Sequence, residues 1–312
     1  MTTIVLSALV RPLLEARLPA GLDVHWFMSK EEAFALAPQA EIGWFDMYDK
    51  ADMAEAITRA SSLKWLNSIY AGVDGLPLDL LRERGAAFTN GVGINAITIA
   101  EYVVMGMLTV AKGYRDVVRA QERREWLTDS PGKVELFGSK ALIIGYGAIG
   151  SLVEERLKAF NVDVTVVRRT PAANTLSPDQ WRARLGEFDW IILAVPATAE
   201  TDKMIGAAEL AAMKPSATII NIARGSVIDQ DALVGALRAK TIGAAFLDVT
   251  DPEPLPPDHP LWGLDNAHIT MHLSGQAQDK MFVRSAQRFL ENLERYRSGA
   301  PLMHQVNLVL GY

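Results

Sequence analysis

Apolar and polar residues alternate along the chain in a pattern that predicts short strands separated by amphipathic helices. Within residues 1–94, helical spacing occurs at Lys30–Leu36 and Leu76–Glu83. The predicted strands are short apolar runs: Thr3–Val10, Asp23–Phe27, Ile42–Phe45, Trp65–Ile69 and Ala87–Thr89. Such alternation predicts a parallel sheet with helices on both faces.

A long helical pattern follows and separates this region from a second one of the same kind. It runs from Asn95 to Trp126, apolar as far as Val110 and charged from Lys112 to Arg124, which is typical of a helix bridging two domains. A second alternation begins at Lys140. Its predicted strands are Ala141–Gly145, Val162–Val167, Trp190–Val195, Ala217–Ile222, Gly243–Asp248 and His268–Met271.

Composition narrows the function classes. The 312 residues suit two domains, and a net charge of −6 gives no electrostatic reason to bind nucleic acid or an anionic membrane. The absence of cysteine excludes disulfides, a thiolate nucleophile and Cys-ligated zinc, and we expect no metal site. No basic leader or membrane-length apolar run is present, so we expect a cytoplasmic location.

A glycine-rich segment, Gly145-Tyr146-Gly147-Ala148-Ile149-Gly150, stands between a predicted strand and a predicted helix. Gly145 suits a tight turn, Gly147 lets backbone approach a pyrophosphate, and Gly150 allows close helix–strand packing. An ordinary strand-to-helix turn is the alternative. The context favours a dinucleotide site that includes Ala148 and Ile149.

The next strand ends in Arg168-Arg169-Thr170, where an NAD site usually carries an acid for the ribose 2′-hydroxyl. A carboxylate would repel a 2′-phosphate, whereas two guanidiniums and a hydroxyl would bind it. The alternative is a pair of solvated arginines. The sequence therefore predicts NADP(H) as the preferred cofactor, with NAD(H) possible.

Three chemical groups follow the carboxyl ends of later strands: Arg224, Glu253 and His272. Ligands bind beyond those ends in an open parallel sheet, so the three are expected to converge near the nicotinamide. An imidazole can protonate a carbonyl oxygen that receives hydride, a carboxylate can hold the imidazole charged, and a guanidinium can bind a carboxylate. Each residue also has a structural alternative: Arg224 as a strand cap, Glu253 as a solvated loop charge and His272 as a core histidine.

Three segments carry a family resemblance: Asn221–Asp229, Leu247–Leu255 and His272–Gly275. They are similar to the arginine signature, the Asp-Val…Glu-Pro segment and the His-x-x-Gly of the D-2-hydroxyacid dehydrogenase family. Glyoxylate/hydroxypyruvate reductases resemble the chain best in size and cofactor signature. The chain departs at Met271, where the family usually has proline. Gln276, after Gly275, is a second departure.

The resemblance implies an α/β architecture, a Rossmann cofactor domain inserted in a flavodoxin-like substrate domain with a cleft between them, and a homodimer. It assigns residues 1–94 to the substrate domain, 95–276 to the NADP-binding domain, and 277–312 to a C-terminal helix and tail returning to the substrate domain. The implied chemistry is NADPH-dependent reduction of a small 2-keto acid.

The resemblance also implies roles for individual residues. His272 would be the acid/base and Glu253 its partner, while Arg224 would bind substrate. Backbone N–H groups of Ala71, Gly72 and Val73 would hold the substrate carboxylate, with an ordinary turn as the alternative. Trp44, at the exit of an early strand, is a candidate pocket wall, with a core position as the alternative. Asp248 would hold the nicotinamide amide, and the other expected cofactor contacts are Val195, Pro196, Ile222, Ala223 and Gly275.

Two other functions fit the same sequence. One is a nucleotide-sensing binding protein, because a shared fold does not fix function. The other is an NAD-preferring dehydrogenase of a bulkier 2-hydroxy acid. The presence of all three of Arg224, Glu253 and His272 favours the enzyme.

Overall fold

The computed structural model describes residues 1–170, 172 and 175–311. The chain forms two compact units. One comprises Met1–Asn95 and the segment from Gln278 onward, and the other comprises Ala96–Ala277. Each unit is built on its own parallel sheet.

The first unit contains a five-stranded sheet in the order β2-β1-β3-β4-β5. Alternate residues of β1 point to opposite faces, so Val5 enters one core while Ile4 and Leu6 enter the other. The elements are β1 (Thr2–Ser7), α1 (Arg11–Leu14), β2 (Leu22–Phe27), α2 (Lys30–Leu36), β3 (Ile42–Trp44), α3 (Lys50–Arg59), β4 (Trp65–Asn67), α4 (Leu78–Glu83) and β5 (Ala87–Thr89).

The second unit contains a seven-stranded sheet in the order β12-β11-β10-β9-β6-β7-β8. Its elements are α5 (Ala96–Ala111), α6 (Tyr114–Glu122), β6 (Lys140–Ile144), α7 (Ala148–Ala159), β7 (Asp163–Val167), β8 (Thr175–Leu176), β9 (Trp190–Leu193), α8 (Ala207–Ala212), β10 (Thr218–Asn221), α9 (Gln230–Arg238), β11 (Ala244–Leu247) and β12 (Ala267–Ile269). Strand order reverses beside β6, which places the glycine segment where dinucleotides bind in this fold class.

The C-terminal helix α10 (Met281–Ser298) packs on the sheet of the first unit. Its Phe289 ring lies 5.3 Å from the ring of Trp44 and 5.1 Å from that of Trp65. These aromatic contacts bury the apolar face of α10. Residues of β1 and of α10 therefore belong to the same hydrophobic core.

The prediction of one long helix from Asn95 to Trp126 is wrong in one respect, because the structure divides this segment into two helices, α5 and α6. Gly113 separates them with φ +58°, and the two axes differ by 70°. A Cβ at Gly113 would lie 2.9 Å from the amide nitrogen of Gly132. Glycine is therefore needed both for the backbone angle and for this close approach.

Several predicted strands end one to three residues earlier in the structure, and β1 and β12 show the physical reason most clearly. β1 stops at Ser7, whose side chain accepts from the N–H of Leu9 and starts a 3-10 turn. β12 stops at Ile269, because Met271 and His272 both take left-handed φ angles. Helix α3 is absent from the sequence-based prediction, and Asp49 caps its first turn by accepting from the N–H of Ala51.

Among the described residues, no single helix is long and apolar enough to cross a membrane. The bent pair of α5 and α6 meets the length and composition requirements only when the two are taken together.

Candidate active site

His272 and Glu253 form a direct pair at the carboxyl edge of the second sheet. The His272 Nδ1 atom lies 2.7 Å from Glu253 Oε2. The other oxygen, Oε1, accepts the backbone N–H of Thr250 at 3.0 Å, which fixes the carboxylate within its loop. With Nδ1 facing Glu253, the imidazole has Nε2 left for a substrate atom.

The pKa shifts of the two groups favour a protonated His272 beside an ionised Glu253. The hydrogen bond to Glu253 raises the pKa of His272, although burial and the charge of Arg224 oppose the rise. For Glu253, burial acts to raise the pKa, but bonds from His272 and the Thr250 N–H outweigh it and leave that pKa below its usual range. Both shifts favour an imidazolium–carboxylate pair.

Arg224 follows β10 and belongs to the same electrostatic cluster. Its charge lowers the pKa of both Glu253 and His272, so the guanidinium lies within interaction range of each. The Nη1 atom donates to the carbonyl of Ala223 at 2.8 Å, and Asn221 Nδ2 donates to the Arg224 carbonyl at 2.9 Å. These bonds fix the extended backbone from which the guanidinium projects.

Asp248, at the end of β11, holds the loop that carries His272. Oδ1 accepts from Thr270 Oγ1 at 2.7 Å and from the Ser274 N–H at 3.2 Å, and Oδ2 accepts from Ser274 Oγ. Asp248 is 2% exposed, and both of its oxygens are bonded to this loop. The carboxylate therefore positions the histidine segment, and its expected contact with the nicotinamide amide stays a prediction.

The histidine loop also explains the departure at Met271. Met271 has φ +53° and His272 φ +58°, both in the left-handed region that costs a non-glycine residue energy. Proline is locked near −65°, so it does not fit this backbone at Met271.

The glycine segment has a shape that suits a dinucleotide. A Cβ at Gly145 would lie 2.5 Å from the Ala194 carbonyl oxygen, and one at Gly150 would lie 2.3 Å from the Gly145 carbonyl oxygen. These two glycines are required by the packing of β6, β9 and α7. Gly147 differs, because nothing described lies within 4 Å of its Cβ position and its backbone borders open space at the start of α7. A pyrophosphate fits there, with helical N–H groups facing it.

Arg168 lies at the end of β7, close to this glycine segment. Its guanidinium carbon is 5.4 Å from the ring centre of Tyr146, whose hydroxyl is bonded to Glu154. Among the described residues, Arg168 Nε is buried and has no hydrogen-bond partner. A buried donor without a partner beside the glycine segment fits an anionic ligand group. The neighbouring Arg169 and Thr170 are exposed.

The remaining expected cofactor contacts occupy the same edge of the sheet. Ala148 and Ile149 open α7, and Val195 and Pro196 follow β9. Ile222 and Ala223 have buried side chains, so a contact with a ligand would come from their backbone. Gly275 lies partly buried after the histidine loop.

In the first unit, Ala71, Gly72 and Val73 form a loop after β4 whose N–H groups find no acceptor in the part of the chain described. The Tyr70 carbonyl accepts from the Gly91 N–H at 2.9 Å, and the Ala71 carbonyl accepts from Asn90 Nδ2 at 2.7 Å. A trans peptide points its N–H opposite to its C=O. The N–H groups of Ala71 and Gly72 therefore both point away from Asn90 and Gly91, as in an anion-binding nest.

Trp44 does not occupy the place expected of a pocket wall. It is 1% exposed and packs in the core against Phe289, and its Nε1 atom donates to Asp46 Oδ2 at 2.6 Å.

Sequence reasoning missed the supporting residues Tyr146, Thr270, Ser274 and Asn90. The only signals in the sequence are that these residues are polar and that they lie near predicted site residues.

Comparison with known proteins agrees with this geometry. Residues 104–274 match the family model described as D-isomer specific 2-hydroxyacid dehydrogenase, NAD binding domain. A glyoxylate/hydroxypyruvate reductase B of Pectobacterium atrosepticum is 33% identical over 86% of this chain and 88% of its own. A D-3-phosphoglycerate dehydrogenase of Archaeoglobus fulgidus is 30% identical over 92% of this chain but only 55% of its own.

A solved structure gives the same result. A D-isomer specific 2-hydroxyacid dehydrogenase family protein from Aeromonas salmonicida is 31% identical, has a TM-score of 0.87, and aligns over 98% of this chain and 99% of its own. The chain therefore belongs to the D-isomer specific 2-hydroxyacid dehydrogenase family. The expected fold class is confirmed, and the second unit is the nicotinamide-cofactor domain of an oxidoreductase.

Proposed function

We propose that the protein reduces a small 2-keto acid, such as glyoxylate or hydroxypyruvate, to the D-2-hydroxy acid with NADPH. The observation that carries this proposal is the 2.7 Å pair between His272 and Glu253, with Arg224 in electrostatic range at the same strand ends. A reductase relative with 33% identity supports the substrate class.

The residues divide the chemistry between them. Bound NADPH supplies the hydride. His272, held protonated by Glu253, donates the proton from Nε2 to the carbonyl oxygen as negative charge develops there. The Arg224 guanidinium binds the substrate and stabilises that charge. The N–H groups of Ala71, Gly72 and Val73 bind the substrate carboxylate.

The preference for NADPH rests on the end of β7. Arg168, Arg169 and Thr170 follow β7 at the position where an acid would select NAD, and the buried Arg168 Nε has no acceptor among the described residues. A 2′-phosphate provides three acceptor oxygens at that position.

The test is reduction of a panel of 2-keto acids of increasing size, each with NADPH and with NADH. We expect the highest kcat/KM with NADPH and the smallest acids. Cofactor binding without turnover of any keto acid would instead indicate a nucleotide-sensing protein, and preference for NADH with a bulkier acid would indicate the other dehydrogenase type.

We propose further that the protein is cytoplasmic and that its active form is a homodimer. Apolar side chains are exposed on α5, α6 and the segment after them, including Met105, Tyr114, Trp126 and Phe137, with Trp126 94% exposed. Large exposed apolar side chains concentrated in one part of the chain favour an interface there. Sedimentation should give a dimer for the wild type and a smaller species for Trp126→Glu. The matched control is Tyr48→Glu, since Tyr48 is an exposed aromatic of the other unit. A monomeric wild type would contradict the proposal.

A further inference from the structure

The carboxylate of Asp46 cross-links the ends of two neighbouring strands in the first unit. Oδ2 accepts from Trp44 Nε1 at 2.6 Å and from the backbone N–H of Ile69 at 2.5 Å. Oδ1 accepts from Ser68 Oγ at 2.7 Å. The donors come from the end of β3 and from the segment after β4, so this carboxylate fixes how the chain leaves β4.

A second bond extends this arrangement toward the nest. Ser68 Oγ, which donates to Asp46, accepts from the backbone N–H of Tyr70 at 3.1 Å. Asp46 thus orients two successive peptide groups, directly at Ile69 and through Ser68 at Tyr70. The Tyr70 hydroxyl adds a bond to the Met47 carbonyl at 3.3 Å.

The peptides that follow are held from the other side. Gly91 and Asn90 bind the carbonyls of Tyr70 and Ala71, and a Cβ at Gly91 would lie 1.8 Å from the Ile69 carbonyl oxygen. The segment Ile69–Ala71 is therefore clamped between the exit of β5 and Asp46. The N–H groups of Ile69 and Tyr70 are fixed on the Asp46 side, and the carbonyls of Tyr70 and Ala71 are fixed on the Asn90 side.

We propose that Asp46 is a positioning residue that preorganises the Ala71–Val73 nest for the substrate carboxylate. This inference rests on the proposed function, because it assigns the nest that ligand. A preorganised nest loses less entropy when it binds, so losing Asp46 should weaken substrate affinity. The proton-donating pair His272 and Glu253 has no bond to Asp46 among the described residues, so the chemical step should change little.

The charge state of Asp46 gives an independent readout. Burial raises the pKa of Asp46 to about 6, against the opposing effect of its three donors, and Tyr70 is the titratable group that faces it. An ionised carboxylate only accepts, so the Ser68 hydroxyl turns toward it and leaves its oxygen for the Tyr70 N–H. A protonated Asp46 would instead donate to Ser68 Oγ, which would disturb the bond between Ser68 Oγ and the Tyr70 N–H.

The experiment compares keto-acid KM, kcat and cofactor KM for the wild type, Asp46→Ala, Asp46→Asn and Ser68→Ala. Asp46→Ala should raise keto-acid KM about 10-fold, leaving kcat within about 2-fold and cofactor KM unchanged. Asp46→Asn retains one acceptor oxygen and should give a smaller rise. The matched control is Asp49→Ala. Asp49 lies three residues after Asp46, and its carboxylate accepts from the backbone N–H of Ala51 but, among the described residues, has no bond to the nest segment.

The pH dependence is the second measurement. Wild-type keto-acid KM should rise as pH falls through about 6, while Asp46→Asn should lack that rise. The raised pKa of His272 favours the protonated ring as pH falls, which is the form that binds and reduces substrate, so its titration does not produce the rise in KM.

The outcomes separate this inference from the proposed function. A wild type that reduces no keto acid would refute the proposed function. An active wild type whose Asp46→Asn and Ser68→Ala variants keep the normal KM would refute the role of Asp46. A parallel loss of kcat, cofactor affinity and thermal stability would also refute it, because that pattern indicates general structural damage. If Asp46→Ala does not fold, the two milder variants decide.

Discussion

The backbone N–H of His272 donates to the backbone carbonyl oxygen of Asp248, just after β11, at 2.6 Å. The side chain of Asp248 binds Thr270 and Ser274 on either side of that histidine. One residue thus holds the histidine loop through both its backbone and its carboxylate. The loop's left-handed angles at Met271 and His272 are kept by these bonds.

The bonds from Asp248 to the histidine loop predict that Asp248 affects kcat and leaves cofactor binding unchanged. Asp248→Asn replaces an acceptor oxygen with a donor, and Ser274→Ala removes a donor to Asp248. Both should lower kcat by roughly 10-fold or more because His272 loses its orientation. Cofactor dissociation constants, measured by fluorescence titration, should stay near the wild-type value. A large loss of cofactor affinity with normal kcat would instead favour a nicotinamide contact.

Met271 gives a backbone test of the same loop. Met271→Gly should keep activity within about 2-fold, because glycine adopts positive φ freely. Met271→Pro should reduce kcat strongly and destabilise the fold, since proline cannot reach φ +53° and misfit proline costs about 3 kcal/mol or more. Steady-state kinetics and thermal melts measure both. An active, stable Met271→Pro would show that the loop adopts another backbone.

Cofactor selection should depend on Arg168. Arg168→Ala should raise the KM for NADPH by ~10-fold or more while changing that for NADH little, because a charge-assisted bond contributes about 1.5–3 kcal/mol. Arg184→Ala is the control, since Arg184 also lies over an aromatic ring, Phe188, but pairs with Glu187 at the surface. An unchanged NADPH:NADH ratio in Arg168→Ala would remove this residue from cofactor selection.

Substrate binding should depend on the shape of the Arg224 side chain as well as its charge. Arg224→Lys keeps the charge but loses the two-pronged donor, so kcat/KM for the keto acid should fall by at least ~100-fold. Cofactor affinity should be nearly intact. The measurement is a pair of substrate and cofactor titrations, and near-normal turnover would exclude Arg224 from the mechanism.

The sequence indicates the outline of the site because strand ends converge in any parallel sheet. Arg224, Glu253 and His272 follow β10, β11 and β12, so their convergence needs only the alternation of strands and helices. Details that depend on packing cannot be predicted from this alternation. The kink at Gly113 requires knowledge of its contact with Gly132, and the burial of Trp44 depends on Phe289, far away in the chain.

The nest illustrates the same limit. Its Gly-containing turn is visible in the sequence, but the direction of its N–H groups depends on Asn90 and Gly91, which arrive from the next strand. Asp46 carries no signal at all in the sequence, because its donors are brought to it by the end of β3 and the segment after β4.

The central claim is that His272 is the proton donor and that Glu253 keeps it charged. Reduction requires the protonated ring, so its rate should fall as pH rises through the raised pKa of His272, and oxidation of the hydroxy acid should show the opposite trend. His272→Ala should slow reduction about 10²–10⁴-fold.

Glu253→Gln removes the charge while keeping much of the shape, so imidazolium loses its main stabilising partner. The most direct test is a pair of kcat/KM profiles against pH in the reductive direction, for the wild type and Glu253→Gln. We predict that the fall in rate moves to lower pH in the variant. A fall that stays in place or moves to higher pH would contradict the assigned roles of both residues.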